Sequence, residues 1–235
     1  MNKKVSALFF GLSLCLLCTS ATAQVEQVYS SIVTDETAFV EELDAWFKSP
    51  DAKNPQAISL LRTVVNGESA ITHNLVLDYA DYDRWDASMD AAYKSKDFAK
   101  MQRRLSGVAT GNIEALYLLV TDNGKSAEEG DYIFVVAVEV ATGADEAFVK
   151  AINEYMNTDL AKKAPGFIRL LACRAGADYS HLVIFSAPSF AAVNKFLDAH
   201  SGSKEMEDFS SKVEGISNAT GTSIHRVIKV WKKPG

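Results

Sequence analysis

The sequence predicts an α+β protein made of two tandem β-α-β-β-α-β copies, folded sheet to sheet into a single barrel. Three observations carry that prediction. A helical motif recurs 109 residues apart, as "TAFVEELDAWFKS" at 37–49 and "EAFVKAINEYMNT" at 146–158. The elements that follow recur in the same order. The strands read as nearly unbroken apolar runs, the mark of sheets covered on both faces.

The elements follow in chain order. The opening strands are "EQVYSSIV" at 26–33 and "YIFVVAVEV" at 132–140. In the first helices, Phe39, Leu43, Trp46 and Phe47 share one face, and Phe148, Ile152, Tyr155 and Met156 repeat their spacing. Two short apolar strands come next in each copy, "AISLLRTVVNG" and "NLVLDYA" in the first, "FIRLLACRAGA" and "HLVIFSA" in the second. A longer helix follows, with a stripe of Trp85, Met89, Ala92 and Tyr93 matched by Ala192, Phe196, Ala199 and His200. It runs on through Phe98, Met101 and Leu105, or Met206, Phe209 and Val213. The last strands are "IEALYLLV" at 113–120 and "SIHRVIKVW" at 223–231.

This order is the ferredoxin-like unit, a four-stranded antiparallel sheet with both helices on one face. Neither copy has spare helices to cover its second sheet face. The other copy's sheet can cover it, at roughly 1.5–3 kcal/mol for each large side chain buried. The organisation read from the chain is a signal peptide at 1–23, a first repeat at 24–121, a linker at 122–130 and a second repeat at 131–235. A monomer is expected, with the two repeats forming an internal pseudo-dimer.

The signal peptide is read from Lys3 and Lys4, an apolar run from Val5 to Leu17 and the small-residue end Ala21-Thr22-Ala23. Cleavage after Ala23 would deliver the protein to the periplasm or the exterior. The remaining chain holds 22 basic and 30 acidic residues. That balance, without a Lys/Arg cluster, argues against nucleic-acid or membrane partners. Cys173 is then the sole cysteine, so no intramolecular disulfide is expected. The sequence lacks a glycine-rich phosphate loop, a nucleophile elbow and a paired-Cys motif, so neither a nucleotide nor a metal is expected.

Candidate functional residues are few. His200 faces the sheet and could move a proton near neutral pH; it could equally be a histidine bonded to a nearby carbonyl. Trp85 and Tyr93 could line an aromatic pocket or fill core. Arg62, Arg169 and Arg174 lie on or at the end of strands. An arginine inside the barrel, Arg169 above all, could bind a carboxylate or oxyanion, whereas a rim salt bridge is the commoner fate. Asp78 and Glu139 interrupt apolar strands, as partners for these arginines or as strand-end residues. His73 and His181 both open a second strand, but pairing His181 with Asn74 makes the two histidines non-equivalent.

The segment "FLDAHSGSKEMEDF" at 196–209, together with the duplicated element order, resembles the dimeric α+β barrel superfamily, and more narrowly two antibiotic biosynthesis monooxygenase-like domains fused in tandem. His200 fits that family's inward His, and the first copy places Tyr93 there. The resemblance implies a pocket for a small apolar or aromatic molecule, within the barrel or between the sheet and the second helix. It also implies a cofactor-independent monooxygenase acting on a quinol or phenol, with no metal, and with His200 or a tyrosine assisting proton transfer. The haem-degrading members carry a helix Trp and a first-strand Asn, which this chain replaces with Phe190 and an Asn-free "YIFVVAVEV". The alternative is a non-catalytic small-molecule-binding or structural barrel of the same fold.

Overall fold

The computed structural model describes residues 24–50, 52 and 55–232; the predicted signal peptide lies outside the described residues. The first repeat runs β1 (Val25–Val33), α1 (Glu36–Phe47), β2 (Ala57–Val65), β3 (His73–Tyr79), α2 (Tyr82–Lys94), α3 (Lys96–Leu105) and β4 (Ala109–Asp122). The second runs β5 (Tyr132–Val140), α4 (Asp145–Met156), α5 (Asp159–Lys162), β6 (Ile168–Ala175), β7 (His181–Ala187), α6 (Phe190–His200), α7 (Lys204–Val213) and β8 (Ser217–Lys232).

The strands close into one barrel in the order β1-β3-β2-β8-β5-β7-β6-β4, and β4 pairs back onto β1. Each repeat is therefore a ferredoxin-like sheet. The predicted packing of sheet to sheet goes further, because the edges also join. β2 pairs antiparallel with β8, setting Ile58 against Trp231 and Leu61 against Val227. β4 pairs antiparallel with β6, setting Tyr117 against Cys173 and Leu119 against Leu171. Closure leaves no edge strand among the described residues to recruit another chain.

Alternation along the strands sorts side chains into layers. One core cluster lies inside the barrel and draws on both repeats, with Leu61, Ala115, Tyr117, Ile133, Leu171, Leu182, Ile184 and Val227 buried together. The opposite strand faces pack under the helices. Phe39, Leu43 and Trp46 of α1 are buried over the first sheet, and Phe148, Ile152 and Tyr155 of α4 over the second.

The long second helix expected in each copy is broken in two. Ser95 Oγ accepts from the amides of Asp97 and Phe98 and starts α3 afresh. Ser203 Oγ accepts from the Met206 amide and does the same for α7. A serine in extended conformation that satisfies first-turn amides is an N-cap, so the apolar stripe continues while the helix axis does not. The short α5, capped by Thr158, was not legible as a separate element.

Gly176 sits where the end of β6 crosses the other repeat. Its φ is +87°, and a Cβ there would lie 1.9 Å from the Glu114 carbonyl oxygen. Both constraints require glycine. Gly176→Ala should therefore destabilise the fold by about 2 kcal/mol or more, read as a lower denaturant midpoint. Residues 24–121 expressed alone expose the β2 and β4 edges and one apolar face, and should self-associate in sedimentation analysis. A soluble, folded monomer of that fragment would contradict the interdependence of the repeats.

Candidate functional site

Helix caps align the repeats residue by residue. Asp81 caps α2 and Ser189 caps α6; Ser95 caps α3 and Ser203 caps α7. Both pairs lie 108 residues apart, so the counterpart of His200 is Ala92 and not Tyr93. By the same reckoning Phe98 matches Met206 and Met101 matches Phe209. Trp46 of α1 matches Tyr155 of α4 through the 109-residue shift of the first helices.

In the second repeat this region is filled. The His200 ring packs on Phe196 at 3.9 Å and on Tyr155 at 5.7 Å between centroids, and Phe209 closes on Tyr155 at 5.6 Å. His200 Nδ1–H donates to the Phe196 carbonyl. Its Nε2 is buried and finds no hydrogen-bond partner among the described residues.

In the first repeat Ala92 leaves the corresponding room empty. A cavity of about 330 Å³ opens between the sheet and the helices, lined by Tyr29, Trp46, Tyr79, Met89, Ala92, Phe98 and Met101 among others. It is apolar with few polar groups, the usual constitution of a small-molecule site. Tyr29 O–H points to Met89 Sδ at 3.9 Å. Tyr29 lies directly across the β1–β4 ladder from Glu114, which also lines the cavity. Burial, and then the Glu114 charge, raise the Tyr29 pKa well above the ordinary range, so its phenol remains a donor. The roof is held by the other repeat. Trp231 of β8 packs tilted on Phe47 with ring centroids 5.0 Å apart, and its Nε1–H donates to Asp44 of α1 at 2.6 Å.

The sequence candidates do not converge. Tyr93 is 76% exposed and stands at the rim of the first-repeat cavity. Trp85 packs, with Tyr29 and Met89, on the cluster around Leu77 and Tyr79, and its Nε1–H donates to Gln27 Oε1 at 3.0 Å. His200 belongs to the other repeat and lines neither of the cavities described here. Tyr29 and Glu114 were not singled out in the sequence, and Trp46 and Ala92 were read there only as members of helix stripes.

His73 and His181 prove equivalent, against the sequence alignment. His73 opposes Ser31 on β1, and His181 opposes Val138 on β5. Each ring lies beside the matching phenylalanine of the first helix, Phe39 or Phe148. Nδ1 of His73 meets Thr72 Oγ1 at 2.9 Å and Nε2 meets Glu36 at 2.9 Å. Nδ1 of His181 meets Ser180 Oγ at 3.0 Å, with Asp145 3.9 Å from Nε2. In the first repeat this hydroxyl–imidazole–carboxylate clasp ties α1 to its sheet; in the second, Asp145 stands beyond hydrogen-bond distance and the clasp is incomplete. Glu36 also takes the half-exposed Arg62, a rim ion pair.

Arg169 is inside the barrel, where a second cavity of about 780 Å³ is lined by strands of both repeats. Its Nη1–H donates to Glu26 Oε1 at 2.8 Å, and the guanidinium lies 4.8 Å from the Phe167 ring centroid. Glu26 and Asp78 face each other across the β1–β3 ladder, and both line the cavity. Asp78 is thus an interior group beside Arg169, whereas Glu139 is exposed.

Burial, and then the Asp78 charge, raise the Glu26 pKa from 4.5 to about 8 against the opposing pull of Arg169. The folded state consequently keeps a proton that the unfolded chain has released. The stability this supplies is full below about pH 4.5 and is lost as pH rises through about 8. Glu26→Gln cannot ionise and should flatten the fall in Tm between pH 5 and 8, measured by calorimetry.

No model of a known protein family matches the chain, and no curated protein matches it. Solved structures do. A provisionally assigned monooxygenase from Fusobacterium nucleatum superposes with TM-score 0.66 at 14% identity, covering 91% of this chain and 96% of that one. A second such protein, from Lactobacillus acidophilus, gives 0.64 at 9% identity, covering 89% and 96%. An anthrone oxidase-like protein gives 0.61 at 10% identity, covering 88% and 92%. This chain therefore shares the α+β barrel fold of these structures, with both halves of the barrel on one polypeptide.

Proposed function

We propose that the protein is exported and that it binds a small flat aromatic or quinol-type molecule under α2 and α3, oxidising it with molecular oxygen. One observation carries this reading: the aromatic-lined cavity that Ala92 opens in the first repeat, where His200 and its neighbours fill the second. The likeness to monooxygenase-like structures supports the reaction class. The charged, A-x-A-terminated N-terminus supports export. The closed barrel supports a monomer, because cross-repeat pairing already occupies every edge that a second copy could extend.

The chemistry needs only groups already in the pocket. Glu114 at the mouth takes a proton from a ligand carbon made acidic by a neighbouring phenol or ketone. Tyr29 donates a hydrogen bond to the resulting oxyanion and stabilises it in a water-poor site. The carbanion then reduces oxygen. For a ring methylene, one oxygen atom becomes the new carbonyl, and the other leaves as water with the two displaced hydrogens. On this reading the proton-transfer role expected of His200 falls to Glu114 and Tyr29. Tyr93 covers the entrance, Trp85 braces the wall, and Arg169 lies apart from the reacting atoms.

Oxygen uptake with a panel of anthrones and hydroquinones tests the proposal, alongside binding read from Trp46 fluorescence. Ala92→His should fill the cavity and abolish both signals with the fold intact. Glu114→Gln should lower turnover by about 10²-fold with little loss of binding, whereas His200→Ala should leave turnover near that of the parent. Binding without oxygen uptake would identify a carrier, and turnover abolished by His200→Ala alone would move the reaction to the second repeat.

A further inference from the structure

The barrel interior is chemically unlike the outer pocket, and the proposed oxidation does not use it. Its walls are apolar, with Val28, Leu61, Val76, Ile133 and Leu171 facing inward. Polar groups gather at two places along its length. One is a closed network. Ser30 O–H donates to Asn74 Oδ1 at 2.6 Å, Asn74 Nδ2–H reaches His225 Nδ1 at 3.3 Å, and His225 Nε2 meets Ser223 Oγ at 2.8 Å. These groups serve one another and leave little for a guest.

The other place is incomplete. Glu26, 3% exposed, is occupied by Arg169. Asp78 Oδ1 and Arg169 Nε are both fully buried, and neither has a hydrogen-bond partner among the described residues. Asp122 stands 3.8 Å from that Nε, beyond hydrogen-bond distance. One acceptor and one donor are thus left open beside a large apolar space. Leaving such groups unpaired is costly, so the site is built to receive something.

We propose that the barrel interior is a second ligand site, which takes a neutral apolar molecule ending in a single hydroxyl held between Asp78 and Arg169. A hydroxyl is the smallest group that donates to the one and accepts from the other. Charge balance argues for neutrality. The single guanidinium already faces Asp78 and Asp122 as well as the protonated Glu26, so an anionic head would meet net repulsion, and it could not donate to Asp78, against the oxyanion considered for Arg169 from sequence. A cationic ammonium head has no lone pair to accept from the Arg169 Nε–H and would set a second cation beside the guanidinium. The satisfied network around His225 directs the hydroxyl to the Glu26 end and the apolar body toward the middle.

Matched probes test this on the full chain. 1-Octanol, octanoate and octylammonium share one tail and differ only in the charge of the head. Octanol should shift the methyl resonances of Ile133 and Ile184, which face the interior. Octanoate and octylammonium should bind about ten-fold more weakly or worse. Asp78→Asn should weaken octanol several-fold, and Ala115→Phe should abolish it by filling the barrel. Ala92→His should leave it unchanged, separating this site from the outer pocket. Absence of any interior methyl shift with octanol would mean the cavity holds water only and would overturn the proposal. So would octanoate or octylammonium binding as tightly as octanol, or loss of octanol binding in Ala92→His. The methyl readout on the unmutated protein decides the matter even if an interior variant fails to fold.

Discussion

Most strands of this protein carry apolar residues on both faces, and neither repeat can cover both alone. The helices of a repeat cover one side of its sheet. The other side, carrying residues such as Leu61, Ile133 and Leu171, is shielded only by the opposite repeat. The cross-repeat pairs β2–β8 and β4–β6 turn that mutual shielding into a hydrogen-bonded ring. Apolar burial supplies the drive and the ladders fix the register, so the halves fold as one unit. Both cavities depend on this closure. The interior one exists only within the ring, and the outer one is roofed by a helix that the other repeat holds in place.

Duplication supplied two equivalent sites, and side-chain volume separated them. His73 and His181 pack on Phe39 and Phe148 at matching places under the two first helices, so the frames remain alike. Within those frames Tyr155, His200 and Phe209 make a stacked aromatic core, whereas Trp46, Ala92 and Met101 leave a void. Replacing an imidazole with a methyl group removes much of the filling that close packing requires. A void of that kind is destabilising unless something occupies it. Its persistence in one repeat, lined by rings and fronted by Tyr29 and Glu114, fits a retained ligand site better than a packing defect.

The architecture was legible because periodicity and order are robust to local slips. Phe39, Leu43, Trp46 and Phe47 recur as Phe148, Ile152, Tyr155 and Met156, and the unbroken strands foretold sheets covered on both sides. The site was less legible, and a single-residue slip explains much of it. The repeat spacing is 109 in the first helices but 108 from β3 onward. Aligning Asn74 with His181 and Tyr93 with His200 carried a spacing of 107 through both elements. That hid the equivalence of the histidines and set an exposed tyrosine where the buried Ala92 belongs. The caps held the correct answer, since Asp81 and Ser189, like Ser95 and Ser203, are both separated by 108. The buried acids were hidden for a different reason. Glu26 and Asp78 lie near strand ends, where an acid usually meets water, and only barrel closure turns them inward against Arg169.

The tie between Trp231 and Asp44 has a consequence for how the molecule comes into being. A ribosome delivers α1 long before the indole that anchors it. The outer cavity belongs to the first half of the polypeptide, yet its ceiling is secured by a residue near the end of the second. A nascent or truncated chain can hold every residue that lines the chamber and still lack the chamber. Ligand capture would then report that the second repeat has closed onto the first.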